Sequence, residues 1–489
     1  MRRAARLTVV LALVLPMSAG LAAGTAGTPV PDTLNFGRFG EVRLLHPAGE
    51  ARDVVLFFSG EHGWDAQAAR VAARLAAEHA WVAGIDTRYF LAQMEKSADK
   101  CIALPVETEN LSHYVQARAG VGHYLQPTLA GDATGAALAY ATLAAAPANL
   151  FKGALSLGFC PSLRTHKPLC KGQGPGVERR SADELQLLPA ANLGGRWIVL
   201  PRSGGSADPP AIAAAPGAGA ASFLNACGAG DRQFVQQVPG AEWQDPAAGS
   251  AASAGSGAGI DEVLAAFRRV VAPGQLRRAA LPAPLADLPL VEVAAQPGAY
   301  RQWFAVFLSG DGGWVGVDRG VAAELARRGV PVVGWDSLRY FWSPRTPQGA
   351  AADLQRVLQY YARHWNKPNA LVLGYSQGAD TLPFMLNRLP AATRAMVGFT
   401  ALVAMSEPAY FEFPAEHWLG HEAGGISILP EVRDWVRQPY LCLYGAKESD
   451  SLCPQFEQQG HALRLPGGHH FGGEFAEIAE QILRRLPAY

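Results

Sequence analysis

Three side chains in the C-terminal half of this chain have the types and the order needed for nucleophilic acyl transfer. Ser376 lies between small residues in Gly374-Tyr375-Ser376-Gln377-Gly378, where a strained strand-to-helix turn can expose its hydroxyl. Carboxylates follow in Gly445-Ala446-Lys447-Glu448-Ser449-Asp450, and histidines in Pro466-Gly467-Gly468-His469-His470-Phe471. A serine hydroxyl is a weak nucleophile until a base accepts its proton, and an imidazole base is oriented and its charged form stabilised by a carboxylate. Ser376 is therefore the candidate nucleophile. His469 is the candidate base because it emerges first after Pro466-Gly467-Gly468, with His470 as the alternative. Asp450 is the expected acid, with Glu448 as the alternative. The tetrahedral intermediate of such a reaction also needs backbone donors. The amide of Gln377 and that of Asp311, in the glycine-rich Ser309-Gly310-Asp311-Gly312-Gly313, are the expected pair.

A Gly-x-Ser-x-Gly string alone is weak evidence, because a chain with 53 glycines contains roughly 0.3 such strings by chance. Its setting is more specific. Apolar β-rich runs predict strands at 290–293, 303–308, 330–335, 371–374, 395–405, 440–444 and 462–465. Amphipathic stretches predict helices at 316–328, 347–364, 379–389 and 473–485. This alternation points to an α/β domain with a mostly parallel sheet. The serine, the carboxylates and the histidines then each follow a strand, so one end of one sheet would gather them.

The N-terminal half repeats this plan without its chemistry. Val54-Val55-Leu56-Phe57-Phe58-Ser59-Gly60-Glu61-His62-Gly63-Trp64 matches Ala305-Val306-Phe307-Leu308-Ser309-Gly310-Asp311-Gly312-Gly313-Trp314, and Gly84-Ile85-Asp86 matches Gly334-Trp335-Asp336, at a spacing of about 250 residues. A period that long makes each copy a whole domain. The counterpart of the serine motif is Gly131-Asp132-Ala133-Thr134-Gly135, and that of Leu465 to His470 is Val238-Pro239-Gly240-Ala241-Glu242-Trp243. Serine and histidines are lost together. The expected architecture is two tandem α/β domains: a degenerate, non-catalytic copy over 31–271, a linker over 272–288 and a catalytic copy over 289–489. The Ala/Gly/Ser/Pro-rich stretches 209–221 and 247–259 read as loops.

Charge is balanced, with 42 basic and 42 acidic residues, which argues against nucleic acid as the main partner. Residues 1–23 have a basic start, an apolar centre and a small-residue end, the composition of a cleavable export signal. Six cysteines then make disulfides plausible. Proximity suggests pairing Cys160 with Cys170 and Cys442 with Cys453, leaving Cys101 with Cys227. No CxxC, HExxH or His-rich tract calls for a metal, and no cofactor is expected.

At Ser309 to Trp314, Gly374 to Asp380 and Pro466 to Phe471 the chain resembles the VirJ/AcvB family of bacterial virulence proteins. The C-terminal copy is similar to a complete VirJ domain, and the duplicated layout with a leader is similar to AcvB. The resemblance implies two tandem α/β-hydrolase domains, the N-terminal one degenerate. It implies a periplasmic serine hydrolase of aminoacyl-phosphatidylglycerol that works at the inner membrane and releases lysine or a similar amino acid. On that reading a cationic acyl group requires a nearby carboxylate, and the side chains of Asp311 and Asp380 are the candidates. The aromatic run Tyr340-Phe341-Trp342 is a candidate lid or lipid contact, or else core. A general carboxylesterase or thioesterase would use the same triad. A non-enzymatic accessory of secretion would use the fold as a scaffold, and secretion-system proteins would then be its partners.

Overall fold

The computed structural model describes residues 32–201 less 98, 149 and 171–173, and then 230–245, 258–272, 283–413 and 425–486 less 434 and 436–438. The proposed leader, the loop at 209–221, Cys227 and most of the linker lie outside the described residues.

Two sheets organise the chain. The first has eight strands, in the spatial order Asp32–Phe36, Gly40–Leu45, Ala80–Ile85, Asp53–Phe58, Thr128–Asp132, Gly153–Leu157, Arg196–Leu200 and Ala241–Trp243. The second has seven, in the order Leu290–Val293, Val332–Trp335, Trp303–Leu308, Asn369–Tyr375, Val397–Val403, Tyr440–Gly445 and Ala462–Leu465. Antiparallel pairing is confined to the leading edge of each sheet, and every later pair is parallel. Parallel strands covered on both faces must be apolar throughout. Accordingly every residue of Asp53–Phe58 and of Trp303–Leu308 is buried. The two-residue alternation sends Phe304, Val306 and Leu308 into the core on one face and Trp303, Ala305 and Phe307 into the core on the other.

Local signals explain the element ends. Thr346 caps the helix Pro347–His364 by accepting from the Gly349 amide at 3.0 Å, and Pro347 suits its first turn. The strand expected at 395–405 is shorter, because Pro390 starts a helical turn at Ala391–Arg394 that consumes the residues before Val397. The helix after the serine motif begins earlier than expected, at Gln377, immediately after Ser376. Residues 258–259, read as loop, open the helix Ala258–Val271.

The copies share detail as well as plan. Asp86 and Asp336 each cap a helix directly after the matching strands Ala80–Ile85 and Val332–Trp335, accepting from the Tyr89 and Arg339 amides. Ser59 Oγ accepts from the Thr87 amide and Ser309 Oγ from the Ser337 amide. Gly84 and Gly334 both lie beneath a tryptophan: a methyl group at Gly334 would sit 2.4 Å from the Trp314 ring. Trp314 is itself buried and packs edge-on against Phe307 with ring centroids 5.7 Å apart, so it has little room to yield. Gly334→Ala is expected to cost about 1–3 kcal/mol by overpacking. Urea unfolding should show a lower midpoint, and an unchanged midpoint would mean that the indole moves aside freely.

The disulfides correct the expected pairing. Cys101 bonds Cys170, with Cα atoms 4.8 Å apart, because Ile102 and Leu169 form a β-bridge and Cys170 donates to the Ile102 carbonyl. Cys160 is also disulfide-bonded, so its expected bond to Cys170 is excluded. Cys442 bonds Cys453 as expected.

The domains touch. Trp342 Nε1 donates to the Val121 carbonyl at 2.6 Å, and the indole stacks on Phe413 and packs against Tyr124. Ser343 donates to the Gly122 carbonyl and Arg319 to the Ala148 carbonyl. The aromatic run is therefore a clasp: Tyr340 and Phe341 are core, and Trp342 fastens the N-terminal domain.

Candidate active site

The strand Asn369–Tyr375 turns into the helix Gln377–Asn387 through Ser376, whose backbone is left-handed, with φ 51° and ψ −124°. A side chain at such angles is strained, and the surrounding chain must enforce it. Two glycines make the turn possible. A Cβ at Gly374 would lie 2.4 Å from the Gly378 carbonyl oxygen, and one at Gly378 would lie 2.3 Å from that of Leu308. The degenerate copy keeps the same turn around an alanine: Ala133 has φ 47° and ψ −111°, between Gly131 and Gly135, which meet backbone at 2.2 Å in the same way.

His469 Nε2 lies 3.1 Å from Ser376 Oγ, within hydrogen-bond reach. His469 Nδ1 lies 2.6 Å from Glu448 Oε1. The acid at this site is therefore Glu448, which corrects the expected Asp450. The strand Tyr440–Gly445 ends in a turn in which the Glu448 amide donates to the Gly445 carbonyl, and the Glu448 side chain folds back so that Oε2 accepts from the Gly445 amide at 2.7 Å. Glu448 is thus sequestered, its side chain 4% exposed. Two residues later the chain has left the turn, and Asp450 is exposed to solvent. His470 is not the base, because its Nδ1 bonds the Tyr375 hydroxyl at 2.8 Å.

Burial disfavours the charged form of His469, but the hydrogen bond and charge of Glu448 outweigh it and hold the imidazole above its ordinary value. His470 is pushed the other way, by burial and by its charged neighbour His469. One histidine is prepared to take a proton and the other to stay neutral.

The loop Ser309–Gly313 runs beside the nucleophile: a Cβ at Gly310 would lie 3.4 Å from that of Ser376. Asp318 lies buried in the first turn of the helix Gly316–Arg327 that follows this loop. Asp311 follows Gly310 directly, at the wall of the same cavity as Ser376 and His469. Among the described residues the Asp311 and Gln377 amides have no acceptor, as two donors reserved for an oxyanion require. Asp380 is corrected. It lies buried in the first turn of the helix, and its Oδ1 accepts from the Ser406 amide at 2.8 Å. It ties that helix to the end of the neighbouring strand and does not line the cavity.

The cavity of about 320 Å³ is closed on its far side by the other domain, through Pro105, Val106, Glu109 and His113 of the helix Leu104–Arg118 together with Leu150. These residues escape a sequence reading, because they sit in the copy that lacks the serine and histidines and no motif links them to Ser376. Among the described residues lining the cavity there is no lysine or arginine, whereas Glu109 and Asp311 are both present.

Residues 302–488 match the family described as VirJ, bacterial virulence protein. Among solved structures, the chain is similar to Est1E from Butyrivibrio proteoclasticus at 13% identity, over 40% of this chain and 93% of that one, with a TM-score of 0.31. It is similar to XC6422 from Xanthomonas campestris, described as an α/β serine hydrolase without lid, at 15% identity over 41% and 90% with a TM-score of 0.29. It is also similar to a hyperthermophilic esterase from Pyrobaculum calidifontis at 15% identity over 40% and 85% with a TM-score of 0.30. Among curated proteins none matches the chain. A parallel sheet with an elbow at the end of its fourth strand, a carboxylate after the sixth and a histidine after the seventh make the fold that of an α/β hydrolase, and within it residues 302–488 are similar to the VirJ bacterial virulence proteins.

Proposed function

We propose that this chain is a serine hydrolase that cleaves the aminoacyl ester of aminoacyl-phosphatidylglycerol, with lysyl-phosphatidylglycerol as the type of substrate. The observation that carries this reading is the Ser376, His469 and Glu448 array opening on a cavity lined by carboxylates and by no basic side chain among the described residues. Such a cavity favours an acyl group that carries an ammonium and disfavours the phosphate, which would stay at the mouth. Val106, 56% exposed, and Pro105 give that mouth an apolar edge suited to a lipid.

In the first step Ser376 Oγ attacks the ester carbonyl while His469 Nε2 accepts its proton. Glu448 stabilises the imidazolium, and the Gln377 and Asp311 amides receive the oxyanion. Collapse returns the proton to the departing glycerol hydroxyl of phosphatidylglycerol. Water, deprotonated by His469, then attacks the acyl-serine and frees the amino acid and Ser376.

A periplasmic site of action belongs to the same proposal. It is supported by the disulfides Cys101–Cys170 and Cys442–Cys453, which persist in oxidising compartments. Among the described residues no helix is long and apolar enough to cross a membrane.

The test is to incubate the purified chain with vesicles containing lysyl-phosphatidylglycerol and to follow free lysine and phosphatidylglycerol together. Equimolar release of both is expected. Turnover of a simple neutral ester or thioester without release of lysine would replace the reading with a general esterase or thioesterase. Turnover of neither would favour the accessory role in secretion.

A further inference from the structure

The active-site cavity belongs to both domains. Its floor is catalytic, formed by Ser376, His469 and the loop carrying Asp311, but its roof is the helix Leu104–Arg118 of the degenerate copy. Glu109 is the acidic residue of that roof. Its Oε1 is sealed from solvent and accepts no hydrogen bond. It approaches the opposite wall closely enough that a Cβ at Gly312 would lie 3.9 Å away. Its neighbour His113 has Nε2 3.9 Å from Glu109 Oε1, beyond a hydrogen bond. Burial drives His113 down to about 3, so it is neutral and supplies no counter-charge.

A carboxyl oxygen sealed from water without a donor is costly, and a bound partner is one thing that can make it worth keeping. Burial first, and then the charges of Asp311 and Asp336, push the Glu109 carboxyl up to about 8. A cation entering between Glu109 and Asp311 would screen the neighbouring charge and favour the ionised carboxylate against its burial. The clasp made by Trp342, Ser343 and Arg319 holds this roof over Ser376.

We propose that Glu109, supplied by the N-terminal domain, faces Asp311 across the cavity to form the subsite for the ammonium group of the aminoacyl substrate, so that the degenerate copy determines which acyl groups the catalytic copy accepts. This rests on the aminoacyl-ester reading and adds to it a specificity residue outside the catalytic domain. It also gives a reason for retaining a copy that has lost its serine and histidines. The subsite recognises a primary ammonium next to an ester carbonyl. The N-acylated counterpart, in which that charge is removed, is the substrate it should reject.

The experiment uses the full chain, as wild type and as Glu109→Gln, with a lysyl ester and the same ester acetylated on both nitrogens. The ratio of kcat/KM for the cationic over the acetylated ester is the readout. Loss of one charge-assisted contact in a buried site should lower that ratio about 10- to 100-fold. A ratio unchanged within about twofold overturns the proposal, whether the two activities stay high or fall together, since a merely structural role would affect both esters alike. If the variant turns over neither ester, the same ratio is read as binding affinity by calorimetry in a Ser376→Ala background, with and without Glu109→Gln. Wild type that favours the cationic ester while Glu109→Gln keeps that preference sinks the roof subsite alone. Wild type that hydrolyses the acetylated ester and ignores the cationic one sinks the aminoacyl reading with it.

Discussion

Replacing Ser376 with alanine should lower ester hydrolysis by about 10⁶-fold in kcat, the scale on which a triad nucleophile acts with its base and acid as one unit. A residual rate about 10³-fold above that in water should survive, because the Gln377 and Asp311 amides and the acid-lined cavity remain. The fold should be untouched. The chain contains its own control for this, since Ala133 occupies the equivalent elbow with nearly the same backbone angles as Ser376. Unfolding of Ser376→Ala should therefore match wild type within about 1 kcal/mol, while labelling by a serine-directed phosphonate disappears. Activity that persists at the wild-type level would remove the serine mechanism altogether.

The two carboxylates after the sixth strand of the catalytic sheet should behave in opposite ways. Glu448→Gln should lower kcat by about 10³- to 10⁴-fold, as expected when a triad acid is made neutral and the histidine tautomer is reversed. The geometry explains why an amide cannot substitute. Glu448 Oε2 accepts from the Gly445 amide and Oε1 faces His469 Nδ1. A glutamine has one acceptor, which the Gly445 amide claims, so its NH₂ turns toward Nδ1 and places the imidazole proton on Nε2. That nitrogen then cannot accept the proton of Ser376. Asp450→Asn should change kcat by less than about threefold, because an exposed charge acts on His469 only through solvent.

The pH profile separates the same two residues. The active form of His469 is neutral, so activity rises as pH increases through its pKa. Glu448 holds that pKa above the ordinary 6.5. The acid limb of the wild-type profile should therefore lie above 6.5 and move to lower pH in Glu448→Gln. A larger loss in Asp450→Asn than in Glu448→Gln would reverse the assignment of the acid.

Much of the fold was legible in the chain because its signals are local. Apolar runs as long as Trp303–Leu308 can hardly be anything but buried strands, and Thr346-Pro347 marks a helix start wherever it falls. Ser376 and His469 were legible for a related reason. Glycines on both sides of Ser376 are needed for its turn, and strand order restricts where the histidine can follow. The duplication was equally plain, since Trp64 over Gly84 and Trp314 over Gly334 are the same packing device read twice.

What the chain could not disclose depends on how far a turn winds and on what comes from elsewhere. Glu448 and Asp450 differ by two positions, and only the turn closed on Gly445 decides which one points at His469. Asp380 has the right type and a suggestive place, yet the amide it binds belongs to Ser406, beyond the end of the strand Val397–Val403. Cys101 reaches Cys170 and not its expected partner because a β-bridge between distant segments aligns them. Residue types and periodicity determined the α/β plan, the duplication, and the candidate serine and histidine, since each of these is written within a few consecutive residues. Tertiary structure alone decided the acid, the disulfide pairing and the arrival of Glu109 above Ser376, because those depend on distances between segments that only packing sets.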